Sequence, residues 1–436
     1  MDEQKLPGGS LPAGGISAPI LPEKPPFSAS WREIAVAAAS YILAWIYLVE
    51  SDLFLGSGES WWSLVFTLGF VALAELLYWR VPRPRESWIW LGCMALILAG
   101  ILLERNGVWG GWAPLFLHLA AVWWVLCRSG RLAEGQSSHL LPLDAFHGFI
   151  LFPFKHFFLR IRSIFYALSQ LFQKKLFGSR KSLFWSVGAA IVALLLFLRA
   201  GKLLAKADEN FGALFVSLFD WFRFVSPEHF LIKLTFSLPV GAYLVGLLAG
   251  TGREDPQQIR EKGSHLCHWL EGLRQVPSSV WLVLTGAFCL MYAVFFGVQS
   301  RYLFGAFTRT LPEGFIVSQY AREGFFALCR VMTLNFALLW LVTRTSRRPV
   351  RENRPALVLC LILLAESLLF AVVAFSKLAL YIDCFGFTPL RLQSTWLVVV
   401  LFAGWLAAGW TLLTGKKSFR AWFAFAAVSA SLLCLM

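Results

Sequence analysis

Charged residues are scarce in this chain: Asp, Glu, Lys and Arg make up 15% of its 436 residues, against 58% hydrophobic. A water-soluble domain carries about 25% charged and roughly 45–50% apolar residues. The excess is too large to hide in a soluble core, which excludes a free cytosolic enzyme, a disordered protein and a secreted disulfide scaffold. Cysteine is sparse as well, with 8 residues and no CxxC pair. Cys93, Cys127, Cys289, Cys329 and Cys360 lie in or at the ends of apolar runs and Cys267 in a polar segment, so that only Cys384 and Cys434 can reach an oxidising compartment. All read as free thiols used as small hydrophobes.

Catalytic signatures are missing too. There is no HExxH, no GxSxG and no dinucleotide fingerprint. Gly415, Lys416, Lys417 and Ser418 supply only the tail of a phosphate loop, with Trp410 where its first glycine belongs. His265 and His268 flank Cys267 in a pattern able to ligate a metal, but no fourth ligand is evident. Residues 257–274 otherwise read as a polar helix, so neither metal nor cofactor is assigned.

What is present is apolar length. Eleven runs approach the ~20 residues that cross a bilayer as a helix: 33–50, 61–79, 88–103, 112–127, 182–199, 229–249, 278–299, 323–343, 356–376, 393–413 and 421–435. In lipid a helix satisfies its own backbone. The fold expected is therefore an all-α polytopic transmembrane bundle of about 11 spans. Residues 1–29, rich in proline and glycine, read as a disordered tail. The 40 Phe and 20 Trp agree with a bilayer, because Trp gathers at its interfaces.

Charge gives the orientation. With the N-terminus in the cytoplasm, 27 of the 39 Lys and Arg residues fall on the cytoplasmic side and 9 on the other. This asymmetry is the positive-inside rule. The net charge of +14 is thus a matter of topology and requires no nucleic-acid partner, and the C-terminus is expected outside.

Two segments read as non-spanning. Residues 154–176 place Phe154, Phe157, Phe158, Ile161, Phe165, Leu168 and Phe172 on one helical face, with Arg160, Arg162 and Lys174 elsewhere. This is a basic amphipathic helix suited to anionic lipid headgroups on the cytoplasmic leaflet, or to capping the bundle ends. Residues 211–224 are short, contain Asp220 and Arg223, and read as interfacial or re-entrant. The chain then divides into the tail, a four-helix region 30–127, a cytoplasmic segment 128–181 and a seven-helix region 182–436.

Charges inside spans are costly unless paired or wetted. Arg330 and Glu366 fall in consecutive antiparallel runs, about 10 and 15 Å below their outer ends by the helical rise. An ion pair between them is expected, with Asn335 completing a polar cluster that either fixes register or binds a ligand. Glu75 lies near the cytoplasmic end of its run and reads as structural. Two outer segments add Tyr320, Arg322 and Glu323, then Lys377, Tyr381, Asp383 and Arg391.

The string Tyr320-Ala-Arg-Glu-Gly-Phe-Phe326, followed some sixty positions later by Leu380-Tyr-Ile-Asp-Cys-Phe-Gly-Phe-Thr-Pro-Leu-Arg391, resembles a family of bacterial polytopic membrane proteins known only as a domain of unknown function. The family's motifs have the form YARxGFF and LYIxx[YF]G[LF]TxxR, with Phe385, Phe387 and Pro389 as mild departures. The resemblance spans about residues 185–410 and implies an integral protein of the bacterial cytoplasmic membrane, without implying an activity.

The leading expectation is binding or transport of an anionic small molecule or lipid-like ligand at Tyr320, Arg322, Glu323, Arg330, Glu366, Tyr381, Asp383 and Arg391. Arginine suits carboxylate or phosphate through paired donors. The alternatives are a structural or signalling subunit that docks a partner, and an enzyme acting on a lipid-linked substrate with Asp383 or Glu323 as base.

Overall fold

The computed structural model of the chain describes residues 27–50, 61–103, 108–173, 227–300 and 317–436, with a few helical positions between 189 and 200. The expected tail before residue 27, nearly all of the run 182–199 and the segment 211–224 lie outside the described residues. Among the described residues the chain is helical with no strand. Among the described residues, seven helices are long and apolar enough to cross a membrane, and two apolar helices are shorter. The protein is therefore a multi-pass membrane protein.

The helices are α1 (Trp31–Glu50), α2 (Trp61–Tyr78), α3 (Arg85–Leu102), α4 (Ala113–Ser129), α5 (residues 141–155), α6 (Leu159–Gln173), α7 (residues 227–253), α8 (Pro256–Gly272), α9 (Ser278–Val298), α10 (Val317–Thr345), α11 (Arg354–Phe385), α12 (Pro389–Thr414) and α13 (Phe419–Leu433). Their ends follow local chemistry. Ser30 and Glu33 cap α1 reciprocally through their side chains and backbone N–H groups, a capping box. Asp255 accepts from the Gln257 N–H at the start of α8, with Pro256 in the first turn. Gly130 and Gly415, in left-handed conformations, end α4 and α12.

One end of the bundle is basic and tightly cross-linked. Arg253 pairs with Glu33, Arg131 donates to the Gly252 carbonyl, Lys417 pairs with Glu134 and Arg420 with Glu86. The linker before α9 joins the end of α10 through Val276 and Thr345. Residues 33, 86, 131, 253, 276, 345 and 417 thus share one end, as the alternation of runs requires. At the opposite end Trp109 donates to the Ala430 carbonyl and packs edge-on to Trp396, and Gln393 bonds to the Val108 carbonyl.

Buried apolar residues form two clusters. One joins α1–α4 to α5 and α7, with Cys434 beside it; the other joins α9–α12. Within the first, Glu75 of α2 accepts from Arg128 of α4 through Nε and Nη2 at 3.1–3.2 Å and pairs also with Arg83. Arg128 is buried and further donates to the Tyr78 and Val81 carbonyls. Glu75 is the structural residue its position suggested.

Of the segment 154–176, expected on the membrane surface or capping the bundle ends, residues 154–173 are described. Residues 141–157 pack among the helix ends. Gly148 sits against Leu126 and Val122, Tyr243 donates to the Phe149 carbonyl, and the Pro153 backbone lies on Gly246. Arg160, expected at an angle away from the apolar stripe, is 2% exposed. Its guanidinium lies 3.4 Å from the centre of the Tyr41 ring and donates to the Leu238 carbonyl at 2.9 Å. A planar, weakly hydrated cation can be buried against an aromatic face, which helical periodicity alone does not reveal. The apolar stripe Phe154, Phe158, Ile161, Phe165 and Leu168 is the exposed one.

The contact between α5 and α7 has little slack. A Cβ at Gly246 would lie 2.3 Å from the Pro153 carbonyl oxygen, whereas one at Gly272 meets nothing within 4 Å. Gly246→Ala is expected to destabilise the purified protein by about 1–3 kcal/mol, the usual range for overpacking, and Gly272→Ala to leave it nearly unchanged. Denaturant unfolding in detergent measures both.

Candidate functional site

At the end opposite the basic one, α10, α11 and α12 bring Arg322, Tyr381 and Arg391 together. Counting from the basic-end residues Thr345, Arg354 and Thr414, these side chains stand 23, 27 and 23 positions along their helices. At 1.5 Å per residue this is about 35–40 Å, just beyond a hydrocarbon core of about 30 Å. All three therefore sit at one level, that of lipid headgroups.

The turn between α11 and α12 gives the second motif its shape. Gly386, at φ 77°, ends α11, and its N–H bonds to the Ile382 carbonyl at 2.7 Å. Pro389 opens α12. Arg391 folds back over the turn: Nη1 donates to the carbonyls of Phe385 (2.6 Å) and Gly386. Its guanidinium lies 4.4 Å from the centre of the Tyr381 ring. A cation on the last carbonyls of a helix compensates unsatisfied acceptors and complements the dipole. The spacing from Tyr381 through Gly386 to Arg391 is thus first a way of closing this corner.

The corner borders a cleft of ≈ 860 Å³ lined by Trp109, Arg322, Phe325, Phe326, Tyr381 and Arg391, among others. Arg322 is exposed and has no hydrogen-bond or ion-pair partner among the described residues. The cleft is apolar over most of its wall, and Arg322 and Arg391 are among the residues that line it. Arginine can bind phosphate or carboxylate through a fixed fork of donors.

Not every expected residue joins this cleft. Glu323 and Asp383 are exposed nearby but do not line it. Tyr320 lies on α10, and its side chain falls outside the described residues. The expected ion pair between Arg330 and Glu366 is not formed. Arg330 lies on the exposed stripe of α10 with Phe326, Ala327 and Leu334, while Glu366 is partly buried on α11. Asn335, five residues beyond Arg330, is turned about 140° away from it around the helix. It is fully buried, accepting from the Tyr292 hydroxyl at 2.7 Å and donating to the Ser367 hydroxyl at 2.9 Å. The polar cluster inside the bundle is therefore Tyr292, Asn335 and Ser367. Lys377 is also buried, with its chain against Gly324.

Sequence reasoning missed Trp109, Gln393 and Trp396. Alternation of the runs places all three on the correct side, but their meeting depends on α13 docking across α3, a contact between residues more than 300 positions apart. At the basic end, Glu254 is held below the usual carboxylate range. Burial pushes it upward, but hydrogen bonds and charge from Lys155 and His156 outweigh that.

A family model described as a domain of unknown function, DUF4153, matches residues 91–436. The chain belongs to this family. The match begins within α3 and continues to the last residue, so it takes in more than the expected 185–410. It includes Trp109, α4 and the segment 128–181 as well as both motif segments. The DUF4153 part thus contains every residue named in the cleft. No match is found among curated proteins or among solved structures.

Proposed function

We propose that this membrane protein binds an anionic amphiphile, with a phosphate or carboxylate head and an apolar body, in the cleft between α10, α11 and α12. The observation that carries the reading is the convergence of Arg322, Tyr381 and Arg391, from three helices, on one aromatic-lined cleft. The excess of basic residues at the other end supports a cytoplasmic position for that end, and with it a cleft on the outer face of a bacterial cytoplasmic membrane. Tyr381, Trp109 and Trp396 then lie at headgroup level, where amphipathic rings are favoured. The bonds of Arg391 to its own turn account for that residue structurally. They do not account for Arg322, which lines the same cleft and has no partner among the described residues.

Binding of anionic and zwitterionic phospholipids to the full-length protein in neutral detergent tests this. Wild type is expected to prefer the anionic lipid. Arg322→Ala is expected to weaken that binding about tenfold or more, the range of a lost charge-assisted hydrogen bond, with unfolding unchanged. Arg391→Ala is expected to reduce both binding and stability, since it also frees the carbonyls of Phe385 and Gly386. Unaltered binding by Arg322→Ala overturns the reading.

A further inference from the structure

Far from the cleft, at the basic end, two distant stretches of chain bring metal-ligand side chains together. Cys267 projects from α8, and His139 and Glu134 come from the connection between α4 and α5. The Cys267 thiol lies 3.8 Å from His139 Nε2, and a Glu134 oxygen lies 3.9 Å from His139 Nδ1. One donor atom from each residue falls within 4.8 Å of the other two. All three are partly buried. Cys267 and Glu134 border a cavity of ≈ 830 Å³ whose wall also contains His265, His268 and Glu271.

We propose that Cys267, His139 and Glu134 form a binding site for a zinc-class divalent ion, with water from the cavity as the fourth ligand. Zinc binds sulfur at about 2.3 Å and imidazole nitrogen at about 2.0–2.1 Å, so a tetrahedral site sets its sulfur and nitrogen about 3.6 Å apart. The Cys267–His139 separation of 3.8 Å already has that span, and a Glu134 oxygen stands within 4.8 Å of both donors. A thiolate, an imidazole and one carboxylate form a borderline-soft donor set that favours zinc over magnesium or calcium. Lys417 Nζ now holds Glu134 at 3.1 Å. That lysine is 70% exposed, so its bond is exchanged for water at little cost. Its position makes Lys417 a competitor of the ion.

The HLCH string alone does not contain this site. Only Cys267 of that string joins the set, while His265 and His268 remain on the cavity wall. The partners stand 128 residues or more away in sequence. By joining the α4–α5 connection to α8, a bound ion would brace the basic end without touching the cleft, so the site is independent of the proposed lipid binding.

The test uses the full-length protein in detergent, stripped with a chelator and titrated with Co(II), then Zn(II). Wild type is expected to bind one Co(II) with a sulfur-to-metal charge-transfer band that Zn(II) removes. Cys267→Ser and His139→Ala are expected to lose the band. Glu134→Gln is expected to weaken the affinity about tenfold or more, and Lys417→Ala, which frees Glu134, to tighten it. A wild type without the band, or a band that persists in Cys267→Ser, overturns the proposal. Alkylation of Cys267 in the unmodified wild type, followed by mass spectrometry, covers any variant that does not fold. Zn(II) is expected to slow it, and equal rates with and without Zn(II) overturn the site in favour of a thiol–imidazole hydrogen bond alone.

Discussion

Replacing Arg128 by Met is expected to lower the unfolding free energy by about 3 kcal/mol. Arg128 is buried and makes five hydrogen bonds, three to the Glu75 carboxylate and two to the Tyr78 and Val81 carbonyls. Removing one partner of a buried pair typically costs about 3–5 kcal/mol, because the other charge stays buried without compensation. The lower figure applies because Glu75 keeps Arg83 and some contact with water. The double variant Glu75→Gln with Arg128→Met removes the uncompensated charge and is expected to recover part of the loss. Denaturant unfolding of the single and double variants measures the coupling. A double variant no more stable than Arg128→Met alone would show that the carbonyl bonds, not the pair, carry the effect.

A second large effect is expected with pH. Asp144 is fully buried beside the α4–α5 connection, where Oδ1 accepts from the Ala133 N–H at 2.8 Å. Burial pushes its carboxyl from 3.8 to about 7 against the lowering effect of the Ala133 bond, and Glu134 and Glu86 add smaller upward contributions. Between these values the folded protein holds a proton that the unfolded chain has released. Stability therefore falls as pH rises from about 4 to about 7, and the loss is complete above that. At about 1.4 kcal/mol per pH unit the whole span amounts to at most about 4 kcal/mol. Asp144→Asn keeps an acceptor for Ala133 and carries no charge. It is expected to be more stable than wild type at pH 8, with the difference shrinking towards pH 5. Unfolding measured across that range checks this, and parallel pH profiles for the two proteins would sink it.

Much of the architecture was legible because lipid makes simple demands. A run near 20 apolar residues has one stable form in a bilayer, so the helices at 61–78, 85–102, 278–298 and 389–414 follow from composition. The shared end of residues 33, 131, 253, 345 and 417 follows from alternation. Glu75 near an interface reads as structural, and the structure pairs it with Arg128 and Arg83. Side-chain partners were less legible. Arg330 and Glu366 were matched by depth along their helices, but depth says nothing about angle, and Arg330 faces outward while Asn335 faces in. For Arg160 the helical wheel gave the angle but not what lay there, and Tyr41 with the carbonyls of α7 drew the charge inward.

The cleft divides the same way. Arg322, Tyr381 and Arg391 share a level because their helices have similar lengths, which the sequence contains. That they share a cleft with Trp109 depends on how α3, α12 and α13 pack, which it does not. By itself the sequence determined a multi-pass helical protein with one basic end and a polar group at the other, because hydrophobic length and charge count are sums over local residues. Tertiary structure alone decided which charges pair, that Arg160 is buried, and that His139 and Glu134 stand beside Cys267. Those outcomes rest on distances of a few ångströms between residues remote in the chain, and no local sum records them.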